Sequence, residues 1–549
     1  MEPTEQSDQA NSYEYQTIGP PGTGKTTWIT SQVNRLVEEG ANPIIVCYSR
    51  ASVQEVIGRE LPLDTGQIAT LHSFCHRLLD RPMIAELQIA DWNETHTERY
   101  QLNARASRGN LDSNAADIPQ GDGAERMMAE FMRARARMEP PKAYAETFGQ
   151  MWKAWKTKNN LLDYMDMVEE VLLRKIPPPN GANIIFVDEA QDLDLLQLTL
   201  LRQWGEEAGC LVLVGDPDQT IYTWRGADPN AFTNSNIPEE NIRVLNQSYR
   251  LPRQVHQKAM DWINQATNRR RISYAPTDAE GEVTYEEITF HDKEKLVEKA
   301  FSHMIDGDQV MYLTTCAYML DPLIAELKEK GVPYHNPLAT TNGGWNPLVK
   351  RPNQVTAADR LTAFMGLSTE GGWTAQDLAN WTALMPVKNV LPRKGRELLK
   401  ELENGDDGFV DWEDVERLIN PAAIEAGLTG DLDWLKENLM PSKKASLEYP
   451  LRVVEKSGIG ALNDRPPVIV GTIHSVKGAE TDVVYLFPDL SRKGYQEWIS
   501  KNEEDRNGLY RQFYVAMTRA KKKLVIGKQI SIFAVDLWPE EEDGVSEDE

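Results

Sequence analysis

Gly19-Pro20-Pro21-Gly22-Thr23-Gly24-Lys25-Thr26 is the stretch on which the reading of the fold turns. It matches the spacing G-x-x-x-x-G-K-[ST]. Before it, Tyr13 to Ile18 reads as a strand. After it, Thr27 to Glu38 has helical spacing, with Ile29, Val33, Leu36 and Val37 apolar. Strand, glycine loop and helix in that order are the context of a phosphate loop. The glycines let backbone N–H groups close around phosphate oxygens, and the helix N-terminus adds partial positive charge. The pattern assigns Lys25 to the outer phosphates and the Thr26 hydroxyl to Mg²⁺. Gly19, Pro20, Pro21, Gly22, Thr23, Gly24 and Thr27 complete the expected cradle.

Outward from the loop, the apolar run Ile184 to Val187 leads directly into Asp188-Glu189-Ala190-Gln191-Asp192. A buried strand ending in two acids places them at the C-terminal edge of a sheet, beside the loop. Asp188 is the expected Mg²⁺ ligand. Glu189 is the expected general base that polarises the attacking water. Together the two segments predict Mg²⁺-dependent hydrolysis of a nucleoside triphosphate.

Further apolar, β-branched runs are Ile44–Val46, Leu211–Val214, Val310–Leu313, Val468–Val470, Val483–Phe487 and Leu524–Ile526. Continuous runs of this kind suit parallel strands covered on both faces. Helical segments such as Thr26 to Glu38 and Pro322 to Lys330 lie between them, which predicts α/β architecture. Residues 81–182 and 336–460 lack the alternation and read as two mainly helical insertions. At 41% hydrophobic and 26% charged residues, the composition excludes a wholly disordered chain. No run reaches the length of a membrane span, and no apolar signal segment opens the sequence. The four cysteines (Cys47, Cys75, Cys210 and Cys316) lie far apart, which excludes a disulfide scaffold and fits a cytoplasmic protein. The net charge of −25 argues against a uniformly basic surface but not against a local basic groove. Part of that charge sits in residues 539–549, read as a solvated acidic tail.

The motifs, taken in order, resemble those of the UvrD/Rep/PcrA group of superfamily 1 helicases. Asp188 to Asp192 is similar to motif II, Gly215 to Ala227 to motif III, and Leu245 to Arg250 to motif IV. Gly471 to Glu480 resembles motif V, Tyr514 to Ala520 motif VI, and Thr70 to Cys75 motif Ib. Leu162 to Met167 resembles the helix that precedes motif II in that group. The resemblance implies two RecA-like P-loop NTPase domains, parallel sheets flanked by helices. The first takes 1–80 and 183–240, the second 241–335 and 461–538, with insertions at 81–182 and 336–460. It also implies that Gln219 senses the γ-phosphate and that Arg250 and Arg519 act as arginine fingers. Tyr249 would stack on adenine and Glu480 would accept hydrogen bonds from the ribose. The implied activity is ATP-dependent 3′–5′ movement on single-stranded DNA with duplex unwinding.

For the strand itself, the resemblance points to Trp224 as a stacking platform, with Tyr222 and Arg225 beside it. His72 and His474 are the expected links between strand and nucleotide site. Tyr48 stands where the family's motif Ia carries a different aromatic pattern. Arg133, Arg135 and Arg137 form a basic patch or a solvated helix face, and Lys521 to Lys523 another. The family's glutamine motif has only Gln6 and Gln9 as candidates. Expected partners are single-stranded DNA and forked or tailed duplex, with RNA open. Two alternatives remain: a translocase that does not unwind, acting in a repair or defence complex, and a nucleotide-gated binding switch.

Overall fold

The computed structural model describes residues 13–103, 123–227, 229–233, 237–337, 345–348, 354–386, 390–392, 395, 399 and 408–539. The acidic tail beyond residue 539, and Gln6 and Gln9, lie outside the described residues. The chain divides into two compact units, Met1–Glu287 with Thr472–Glu549, and Ile288–Gly471.

The first unit holds a six-stranded parallel sheet built from β1 (Glu14–Ile18), β2 (Pro43–Cys47), β3 (Ile68–Thr70), β4 (Ile184–Val187), β5 (Leu211–Gly215) and β6 (Ile242–Val244). The strand order is β3-β2-β4-β5-β1-β6. Side chains alternate between its two faces, as strand geometry requires. Ile44, Val46, Ile185, Val187, Leu211 and Leu213 join one core with the helix Leu195–Ala208. Ile45, Cys47, Phe186, Val212 and Val214 join the other with Ile29 and Val33 of the helix Lys25–Glu38. Covering both faces is why these strands read as unbroken apolar runs. Register then decides the site. Ile18 is level with Gly215, and Val187 with Leu213. The segments after β1, β4 and β5 therefore leave one edge of the sheet together.

The second parallel sheet is formed by β7 (Glu282–Tyr285), β8 (Val310–Thr314), β9 (Tyr334–His335), β10 (Val468–Thr472), β11 (Thr481–Leu486) and β12 (Ala520–Ile526). Within the first unit its order is β7-β12-β11, and within the second β8-β10-β9. The stretch 81–182 is helical as expected, with helices Ile89–Thr95, Ala124–Ala136, Ala143–Asn159 and Tyr164–Leu173. Its core packs Trp92, Phe148, Trp152 and Trp155 together. The described residues of 336–460 are also mainly helical, with the helices Ala357–Thr369 and Pro441–Ser457 the longest among them. No helix among the described residues is long and apolar enough to cross a membrane.

Candidate nucleotide site and strand-contacting surface

The loop after β1 has the shape its sequence implies. Gly22 and Gly24 both adopt positive φ, at 73° and 77°. Gly22 is also pressed against its surroundings, since a Cβ there would lie 2.4 Å from Arg250 Cβ. The Thr23 hydroxyl donates to Pro20 O at 2.8 Å, and Gly19 N donates to Gly215 O at 2.9 Å. The Thr27 hydroxyl accepts from Arg59 at 2.8 Å. The segment after β6 clasps the loop from the other side. The buried Ser248 hydroxyl donates to Pro21 O at 2.9 Å, and Tyr249 N donates to Gly22 O at 2.8 Å. That tether leaves the Tyr249 ring 77% exposed beside the loop, a free face for a flat ligand.

Lys25 Nζ lies 3.6 Å from Glu189 Oε1, and the Thr26 hydroxyl donates to Asp188 Oδ2 at 3.3 Å. The two acids differ in environment. Burial and the adjacent Glu189 charge push Asp188 up to about 7. Burial also acts on Glu189, but Lys25, Lys477 and Gln191 outweigh it and hold that carboxyl at about 2. A hydroxyl beside one carboxylate is a donor set that suits Mg²⁺. That ion keeps several waters and takes other ligands from phosphates, so a cage of protein carboxylates is not needed. Among the described residues there is no group of three or more His, Cys, Asp or Glu side chains that could hold a metal ion.

From Glu189 a chain of hydrogen bonds runs across the sheet edge. Gln191 Nε2 donates to Glu189 Oε2 at 2.5 Å, and Asp216 N donates to Gln191 Oε1 at 3.0 Å. Gln219 Nε2 donates to Asp216 Oδ2 at 2.7 Å, and Arg519 Nη2 donates to Gln219 Oε1 at 3.1 Å. Arg519 is fully buried and also bonds Val515 O and Ala479 O. Arg250 Nε donates to Glu480 Oε2 at 2.6 Å. The expected residues Lys25, Thr26, Asp188, Glu189, Gln219, Arg250, Glu480 and Arg519 thus form one connected neighbourhood inside the first unit.

Two residues without a role in the sequence reading belong to it. Lys477 Nζ is paired with Asp192 Oδ2 at 2.5 Å and donates to Gln219 O at 2.7 Å. Ser248 supports the phosphate loop as described above. Both lie inside recognised motifs. Their positions alone could not show which distant backbone they would meet.

The aromatic residues gather beside this network. Tyr222 stacks on Tyr48 with ring centres 5.5 Å apart and meets His474 at 6.0 Å. His474 Nε2 lies 3.2 Å from Ile221 O. The Arg225 guanidinium sits 4.8 Å from the Trp224 ring centre and 5.4 Å from that of Tyr222. Tyr222 is buried, whereas Trp224 is half-buried and so the more accessible of the two rings. His72 meets Tyr164 edge-on at 5.6 Å. Burial lowers both His72 and His474 to about 4, so both are neutral at pH 7.

The arginine patch is corrected by the structure. Arg135 is only 12% exposed and is bound by Asp163, Asp166 and Glu169, while Arg133 pairs with Glu130. Arg137 donates to Thr223 O at 3.4 Å. Arg133 is neutralised within its own helix and Arg135 by acids of the helix Tyr164–Leu173 and its N-cap, so the two do not form a basic surface. Lys522 and Lys523 are likewise paired, with Asp482 and Glu282.

A glycine loop joining a parallel strand to a helix, two acids on the same sheet edge and a second parallel sheet define the class, a P-loop protein with RecA-like architecture. The family profile "UvrD/REP helicase N-terminal domain" matches residues 4–237, and "UvrD-like helicase C-terminal domain" matches residues 443–530. The chain belongs to the UvrD/Rep family of superfamily 1 helicases, ATPases that act on nucleic acids. A probable DNA helicase II homolog of Mycoplasma genitalium is 23% identical over 93% of this chain and 82% of its own length. The ATP-dependent DNA helicase PcrA of Staphylococcus aureus is 25% identical over 55% of this chain and 46% of its own length. A probable DNA helicase II homolog of Mycoplasma capricolum is 26% identical over 43% of this chain and 37% of its own length.

Proposed function

We propose that the chain is an ATP-driven DNA helicase that moves 3′ to 5′ on single-stranded DNA and separates forked or tailed duplex. In this reading 1–80 with 183–240 and 241–335 with 461–538 are the two RecA-like lobes, and 81–182 and 336–460 are accessory insertions. Lys25 and the loop amides hold the phosphates, Tyr249 stacks on the adenine, and Glu480 receives the ribose. Thr26 and Asp188 hold Mg²⁺, which neutralises developing phosphate charge. Glu189 takes the proton of the attacking water. Arg250 and Arg519 stabilise the charge on the transferring group. Trp224, with Tyr222, Arg225, Tyr48, His72 and His474 around it, receives the strand by stacking.

The observation that carries the reading is the position of Gln219. Its side chain links Asp216 to Arg519. Its carbonyl binds Lys477, whose ammonium also lies 5.2 Å from the Tyr222 ring centre. Gln219 is therefore tied to the nucleotide neighbourhood directly and to the aromatic surface through Lys477. Such a link supports coupling of nucleotide state to the strand, and the hydrolytic set Glu189, Gln219, Arg250 and Arg519 favours a motor over a binding switch.

The test is ATP hydrolysis measured in parallel without nucleic acid, with single-stranded DNA and with single-stranded RNA, followed by a forked substrate. DNA-stimulated turnover with strand release is expected. Stimulation without strand release would replace the helicase with a translocase. Slow hydrolysis indifferent to nucleic acid would overturn the motor reading.

A further inference from the structure

The family roles leave two features of the helical insertion unused. One is the Asp163 segment ahead of motif II, and the other is the arginine-rich helix Ala124–Ala136. They meet in a single buried hub. Asp163 is fully buried and accepts from Arg135 Nη1 at 2.8 Å, from Trp152 Nε1 at 2.9 Å and from the Lys156 ammonium. It also caps its own helix, accepting from Asp166 N at 2.7 Å.

Two arms leave this hub. The next residue, Tyr164, places its ring edge-on against His72. In the other direction, Arg135 fixes the end of the helix Ala124–Ala136, and that end abuts the turn Thr223–Arg225. Arg137 Nη2 donates to Thr223 O there. Gly226, at φ 112°, lets the two segments touch, since a Cβ would lie 2.7 Å from Ala136 Cβ. The hub therefore stands behind two separate elements of the aromatic surface. Among the described residues, Arg135, Asp163 and Lys156 bond to neither the phosphate loop nor Asp188 and Glu189.

We propose that the Arg135–Asp163–Lys156 hub, with Arg137 at the helix end, is a positioning device that sets the Trp224 turn and His72 for the nucleic-acid strand. The proposal rests on the reading of Trp224 and His72 as strand contacts. A stacking platform acts only when its ring is held in register with the base, so loosening the turn removes part of the stacking gain. Asp163 makes the sign of the effect diagnostic. Removing a negative charge near a polyanion site would strengthen binding if bulk charge mattered. A positioning role requires binding to weaken.

The test uses the full chain, a labelled oligo-dT strand and four variants: Arg137→Ala, Asp163→Asn, Trp224→Ala and Arg137→Ala with Trp224→Ala. Arg137→Ala and Asp163→Asn should each weaken strand binding by about tenfold, within the range for one stacked base. Turnover without DNA and the KM for ATP should stay at the parental level. The salt dependence of binding should keep its slope, and Arg137→Ala should add little to Trp224→Ala. A slope reduced by about one, with additive effects, would make Arg137 a direct phosphate contact and overturn the proposal. So would parental affinity in Arg137→Ala, a test that stands even if Asp163→Asn fails to fold. Parental affinity in Trp224→Ala would instead defeat the strand-surface reading itself, and the positioning role with it.

Discussion

Glu189 adopts φ 52°, a left-handed conformation that costs a non-glycine residue roughly 1–3 kcal/mol and marks sites where geometry outranks local comfort. The turn aims its carboxylate at Lys25, and that ion pair helps hold the carboxyl at about 2. A base so acidic is a poor proton acceptor. Phosphates that draw Lys25 away would raise its basicity, so the proposed base is released by the substrate it acts on. Glu189→Gln should keep ATP affinity while turnover falls by about 10²–10⁴, measured as equilibrium ATP binding beside single-turnover hydrolysis. Parental turnover would remove Glu189 as the base. Asp188 carries the opposite shift, up to about 7. A carboxyl whose folded pKa is raised binds protons more readily in the folded state. Its contribution to stability is therefore present below the unfolded value near 4 and is lost as pH rises towards 7. Mg²⁺ needs the charged form, so the metal must displace that proton. The Mg²⁺-induced rise in melting temperature should grow from pH 5.5 to 7.5. It should vanish at both pH values in Asp188→Asn. A pH-independent rise would place the ion elsewhere.

Strands show where the sequence was readable and where it was not. The runs that read as strands include β1, β2, β4 and β5, all inside the first sheet and almost wholly buried. The four that escaped, β3, β6, β7 and β9, all lie at sheet margins. β6 and β7 are mostly half-exposed or exposed, and β9 has only two residues, so none makes a long apolar run. The insertions were readable as helical from composition. The hub that organises 81–182 was not, because Arg135 and Asp163 look like surface charges until folding brings them together. The segment after β5 has the same character. Trp224 could be core or platform by sequence, and the structure leaves it half-buried with its indole N–H buried and unpartnered. Trp224→Ala should reduce single-strand affinity by about 1–3 kcal/mol and leave ATP affinity unchanged, read by anisotropy titration and nucleotide binding on one preparation. Equal loss of both, with a lower melting temperature, would return Trp224 to the core.

At the scale of the molecule, eight residues expected from motif order lie together in one unit despite their distance along the chain. What order could not supply is the route between them. Arg519 and Gln219 are 300 positions apart and share a hydrogen bond. Burial and Arg250 lower the Arg519 pKa to about 9, which still leaves it charged at neutral pH. A buried charge with neutral partners is stabilised most where a negative charge develops nearby, which fits an arginine finger better than a structural strut. Arg519→Ala should cut DNA-stimulated turnover by roughly 10³–10⁵, with ATP affinity falling far less because the contact strengthens in the transition state. Gln219→Ala tests the route. If the two residues act as one unit, the double variant should be barely slower than Arg519→Ala alone. Multiplying losses would mean that Gln219 and Arg519 reach the phosphate separately. Near-parental turnover in Arg519→Ala would leave Arg250 as the sole arginine finger and make Arg519 the strut that holds Gln219.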